Sequence, residues 1–251
     1  MWRTRRGTPR PLTYWAARRI LQRATAQLGT NWALHDRPHA DRGNAAPPLL
    51  GILAAMNVTL DELDADWPRL RALAAHLAQR TGDNPDLVFF PLGLRLHGRH
   101  GDHWDDDATP ANSTTFASTG GEGVHFGLLH ATTSVPGVAP VVMTVPGQFD
   151  APNHVVGASL REFLALGCRT GYYHLERLAY GWGRQDEINY LERGEWAGVG
   201  WDGQAEESTV LALLAALTQE FDLAPWPKVA QRLAELQTRY LPAVRLRQQR
   251  P

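Results

Sequence analysis

The sequence predicts an α+β fold: a central, largely antiparallel sheet flanked by helices from the N-terminal and C-terminal regions. Three observations predict it. The middle third holds short segments of two-residue periodicity punctuated by Gly, Pro and Asn. The outer thirds carry apolar residues at helical spacing. Several middle segments are apolar at both alternating sets of positions, which requires cover on both faces of the sheet. With 251 residues and no visible internal repeat, the chain reads as one domain, residues 1–251, with a helical N-terminal extension.

Tyr14, Ala17, Leu21, Ala24 and Leu28 share one helical face, with Arg18, Arg19 and Arg23 off it, so a docked surface helix is predicted there. The stretch "LGTNWALHDRPHADRGNAAPP" follows as a loop. A helix is predicted from Asp66 to Arg80, with Asp66 as N-cap, Pro68 in the first turn, Leu70, Leu73, Ala74 and Leu77 as the buried stripe, and Gly82 as the stop.

The period then changes. "DLVFFPLGLRLHG" places Leu92, Leu94 and Leu96 on one face of a strand, and "STTFAST", "GVHFGLLH", "VAPVVMTVP" and "NHVV" supply the others. Between two of them, "FASTGGEGVHFGLL" sets Gly120, Gly121 and Gly123 around Glu122. A phosphate cradle needs a helix N-terminus after its glycines. Here a strand follows, without a Lys-Ser or Lys-Thr pair, so the stretch reads as a sharp turn.

"GASLREFLALGC" opens a helix with a capping box, Ser159 followed three positions later by Glu162. A second helix is predicted over "GYYHLERLAY". "GWGRQDEINYLERGEWAGVGWDG" obeys neither period and reads as irregular. Two helices close the chain, one on Val210, Leu213, Leu214, Leu217 and Phe221, the other on Val229, Leu233, Leu236 and Tyr240.

Composition narrows the function classes. A net charge of −1 provides no general field for nucleic acid. The exception is an arm with Arg3, Arg5, Arg6, Arg10, Arg18, Arg19 and Arg23 and no acid; since 24 arginines accompany a single lysine, Lys228, that bias fits a GC-rich genome. No apolar run approaches the ~20 residues of a membrane span, and no secretory leader is visible. One cysteine, Cys168, excludes an internal disulfide and reads as a buried apolar residue. A soluble, cytoplasmic protein is expected, with no cofactor.

Three groups could carry chemistry. His97, His100, Asp102 and His103 head a run of imidazoles and carboxylates suited to zinc or manganese, and a metal-dependent hydrolase is the alternative they support. His100, Asp102 and His103 resemble part of the metallo-β-lactamase signature, but Gly98 stands where that pattern wants histidine. His154 and His174 are distant candidate ligands. Gly157 and Ser159 begin a nucleophile elbow, yet Arg161 replaces its second glycine and Ser159 has a simpler task as a cap. Trp182, Trp196 and Trp201, with Tyr180 and Tyr190, could form a carbohydrate- or peptide-binding platform across residues 180–203.

The middle of the chain, about residues 116–167, resembles the SUKH superfamily of bacterial immunity proteins and cell-wall-assembly regulators. The resemblance rests on Gly120, Gly121, Glu122, Gly123 and Phe126, then Val141 and Val142, then Ser159, Glu162, Phe163 and Leu164. It implies an α+β scaffold and a non-enzymatic module that binds another protein, such as a toxin or a regulatory partner. The shared residues are structural in character and none is equipped for catalysis, so function would reside on a variable surface.

Overall fold

Five short strands form one antiparallel sheet in which each strand pairs with its neighbour in the chain. In a computed structural model, residues 59–98, 106–130, 135–194 and 206–246 are described; all lie in the unit Pro48–Pro251. The predicted N-terminal helix and the loop after it fall outside the described residues. The strands are β1 (Arg95–Leu96), β2 (Ser113–Ser118), β3 (His125–Leu129), β4 (Val141–Thr144) and β5 (Asn153–Gly157). The helices are α1 (Leu60–Leu63), α2 (Asp66–Thr81), α3 (Leu160–Leu166), α4 (Arg184–Arg193), α5 (Glu207–Phe221) and α6 (Val229–Tyr240). The α+β class and the antiparallel sheet predicted from periodicity are what the structure contains.

Every residue of β3 and β4 is buried, so both faces of the sheet are covered, as their unbroken apolar sequences require. On one face an aromatic column joins helices to strands. Trp67 of α2 meets Phe116 of β2 at 5.9 Å, Phe126 of β3 meets Phe163 of α3 at 4.8 Å, and Phe163 meets Tyr172 at 5.0 Å. Tyr172 is fully buried, and its hydroxyl donates to the Leu164 carbonyl at 2.8 Å, so that hydroxyl is satisfied, whereas the buried Trp67 Nε1 has no hydrogen-bond partner among the described residues.

The other face carries a polar row. Register aligns Arg95, Ser118, His125, Thr144 and Asn153 across all five strands, and the last four are buried. The Thr144 hydroxyl donates to Asn153 Oδ1 at 2.8 Å, and Asn153 Nδ2 donates to the Ala108 carbonyl at 3.0 Å. The segment at Asp106–Pro110 is thereby fixed over this face, satisfying groups that would otherwise be stranded.

Four local expectations are corrected. Asp66 is the first residue of α2, preceded by Ala65, and is not its N-cap. The capping is done by Asp64, whose buried carboxylate accepts from the Asp66 amide at 2.9 Å and from the Leu160 amide of α3 at 3.0 Å. The strand over Leu92–Leu96 shrinks to Arg95–Leu96 because Pro91 sits in a 3₁₀ turn, Phe90–Leu92, and Gly93 turns left-handed at φ 82°. The "GYYHLERLAY" helix is a 3₁₀ segment, Tyr173–Ala179. The stretch read as irregular contains α4, whose buried residues, Glu187, Ile188 and Leu191, include a carboxylate that masks the apolar stripe.

Ser159 caps α3 as predicted, its Oγ accepting from the Glu162 amide at 3.1 Å. The Glu162 carboxylate closes the reverse bond onto the Ala158 amide at 2.6 Å, one residue before the cap, and also takes Arg232 Nε of α6 at 2.7 Å. The same glutamate therefore caps one helix and anchors another.

Candidate functional site

His97 follows β1 directly and is buried, with its amide donating to the Phe116 carbonyl at 2.8 Å. His100, Asp102 and His103 lie outside the described residues. Among the described residues, no group of three or more His, Cys, Asp or Glu side chains gathers to hold a metal. His154 sits on β5, four strand spacings from β1, and at ~4.8 Å per spacing that is about 19 Å. It cannot share an ion with His97. His174 belongs to the 3₁₀ segment, its ring edge-on to Tyr173 at 5.1 Å.

His125 lies within electrostatic reach of His97 and Asp106. Its Nδ1 sits 2.7 Å from the Gly123 carbonyl, which can only accept, so Nδ1 carries the proton and Nε2 accepts from the Thr109 hydroxyl at 3.1 Å. Burial lowers its pKa, outweighing the carbonyl bond and Asp106. A neutral histidine with both nitrogens engaged is a packing residue that holds the Thr109 segment to the sheet.

The glycine-rich turn leads to a group of acids. Gly120 and Gly123 have φ of 79° and 74°, and Glu122 itself is held at φ 50°. Its charge acts on Tyr173 and Glu176. Burial raises Glu176 to about 7, with Glu122 adding repulsion. Glu187 of α4 is 1% exposed and is likewise raised to about 7, chiefly by burial, although Arg177 Nη1 lies 3.6 Å from its Oε2 and opposes the shift. Tyr173 is pushed up to about 12 by burial, helped by Glu176 and Glu122. Two carboxyls that exchange protons near neutrality can do acid–base work. Sequence reading missed them. The one signal was an acid, Glu187, at a position of the α4 stripe.

Of the predicted aromatic platform, Trp182 is 75% exposed and stacks on Tyr180 with centroids 5.6 Å apart and planes 21° apart. Tyr190 is half-buried in α4, and Trp196 and Trp201 lie outside the described residues. Phe149, at the β4–β5 turn, is 91% exposed and has no sequence signal beyond being aromatic in a turn. Ser159 is engaged as a cap, and Cys168 is buried with its thiol pKa raised by burial, so neither offers a nucleophile.

A groove of about 730 Å³ opens between the end of α2, the segment Asp83–Pro91 and the Ser208–Ala216 stretch of α5. Leu77, Leu87, Val88, Phe90, Ala212 and Leu213 supply its apolar wall, with Arg80 and Asp83 also lining it. The small residues Ser208, Ala212 and Ala216 line it at four-residue intervals along α5, leaving room for an approaching chain.

Among the described residues no helix is long and apolar enough to cross a membrane. The chain matches no protein-family model, no curated protein and no solved structure.

Proposed function

We propose that this chain is a non-enzymatic protein-binding module of the SUKH type, acting as an immunity or regulatory partner protein. The observation that carries the reading is the role of the residues behind the resemblance. Gly120 and Gly123 form the turn, Phe126 and Phe163 stack in the core, and Ser159 and Glu162 set the start of α3. These are scaffold tasks, which leave recognition to the surface.

Each sheet edge has a backbone group already engaged from outside, which disfavours strand addition by a partner. Gln237 covers β5, and at β1 the Leu96 amide donates to the Asp86 carbonyl at 2.9 Å. The apolar groove along α5 is the surface that suits an amphipathic segment of a partner protein, with Leu87 at its wall 42% exposed.

Affinity capture from the native host followed by light scattering of the purified complex tests this. A 1:1 complex with one protein is expected, abolished by Leu87→Asp or Ala212→Arg without loss of circular dichroism. A chain that elutes alone overturns the reading, and a complex indifferent to both substitutions overturns the groove as its site.

A further inference from the structure

We propose that the Val145–Pro152 turn and the Tyr180–Arg184 turn together form a carbohydrate-binding platform, with the outer face of Trp182 as its stacking surface. The inference does not depend on the protein-binding reading. The two turns are neighbours. A Cβ on Gly147 would lie 3.2 Å from the Tyr180 hydroxyl, so the first turn passes directly over that ring's polar end.

Both turns are held closed. In the first, the Val145 amide donates to the Pro152 carbonyl at 2.8 Å and the Gln148 amide to the Val145 carbonyl at 2.9 Å. In the second, the Tyr180 carbonyl accepts from the Gly183 and Arg184 amides at 3.1 and 3.0 Å, and Arg184 Nη1 donates to the Leu178 carbonyl at 3.1 Å. The aromatic side chains are thus mounted on preorganised backbone, which lowers the ordering cost of binding.

One face of Trp182 is covered by Tyr180, and at 75% exposure the other faces water. Beside it, the Cβ position of Gly181 has no atom within 4 Å, so the approach to the ring is open. Covering the exposed rings of Trp182 and Phe149 with a ligand would remove apolar surface from water, which is favourable.

The neighbouring side chains identify the ligand. Phe149 and Trp182 are the exposed large apolar residues among the described residues of these turns, and no exposed aliphatic side chain accompanies them. Gln148 and Asp150 in the first turn, and Asp186 just after the second with its Oδ2 4.0 Å from Arg177 Nη2, supply carboxamide and carboxylate groups instead. Flat aromatic faces that share their turns with planar hydrogen-bonding groups suit a pyranose, which presents C–H bonds on its face and hydroxyls at its edge. An aliphatic protein segment would find no matching side chains, and Arg177 and Arg184 only offset Asp150 and Asp186, so these turns carry no positive excess to attract an anionic lipid surface.

Isothermal titration of the full chain with cellohexaose, chitohexaose and laminarihexaose tests the proposal, with phosphatidylglycerol vesicles as a control. Binding of at least one hexasaccharide is expected, weakened about ten-fold or more by Trp182→Ala and about three-fold by Phe149→Ala. Both side chains are exposed, so the variants should keep the wild-type circular dichroism. The proposal is overturned if none of the three sugars binds, if Trp182→Ala binds as wild type does, or if the vesicles alone are bound. A protein complex that survives Trp182→Ala would separate the sugar site from the partner site.

Discussion

Gln237 of α6 pairs with the outer edge of the sheet at Val155, which is buried beneath it. Its Nε2 donates to the Val155 carbonyl at 2.6 Å and its Oε1 accepts from the Val155 amide at 3.0 Å, so one carboxamide does the work of a neighbouring strand. An unpaired edge would template association with other chains. The contact also explains why α6 lies along β5 and not elsewhere on the sheet.

Replacing Gln237 by alanine should therefore do two things. Stability should fall by about 2 kcal/mol, roughly 1 for each bond lost, as read from urea unfolding. Association at raised concentration should increase, as read by light scattering. Gln237→Glu keeps the acceptor and loses the donor, so it should be no better than alanine.

The carboxylate of Asp64 joins α2 to α3, accepting from the amides of Asp66 and Leu160. Asp64→Ala leaves two helix-terminal amides without their acceptor in a buried position, and a loss of about 3 kcal/mol is expected. Ser159→Ala removes only one capping bond and should cost about 1 kcal/mol. If the two variants were equally mild, Asp64 would not be the joint.

Stability should depend on pH through Glu176 and Glu187. Each carboxyl has an ordinary pKa of 4.5 and is raised to about 7 in the folded chain. The folded state holds these protons while the unfolded state has released them. Their contribution to stability is thus fully present below pH 4.5 and is lost as pH rises through 7. Glu187→Gln removes one such group and should flatten the decline between pH 5 and 7.5 by on the order of 2 kcal/mol, measured as unfolding midpoints against pH. An unchanged slope would show that Glu187 ionises normally.

Gly93 is held at φ 82°, and a Cβ there would run into the Tyr173 backbone nitrogen. Backbone cannot rotate aside as a side chain can. Gly93→Ala should cost about 3 kcal/mol, and Gly82→Ala, with an equally left-handed φ of 77° but open space around it, should cost about 1 kcal/mol. Thermal unfolding of the pair separates crowding from backbone strain.

The sequence by itself determined the fold class, strands β2 to β5, the stop of α2 at Gly82, the cap at Ser159 and both C-terminal helices. Each of these depends on residues a few positions apart, through alternation, helical spacing or a local hydrogen bond. Tertiary structure decided the rest. Asp64 reaches Leu160 across 96 positions and Gln237 reaches Val155 across 82, and neither partner can be named from local pattern. The shift of Glu187, the exposure of Phe149 and the adjoining of its turn to Tyr180 likewise arise only when distant segments dock. Periodicity records which face of an element is apolar, whereas the pairing of leftover polar groups and the uncovered rings depend on which elements meet.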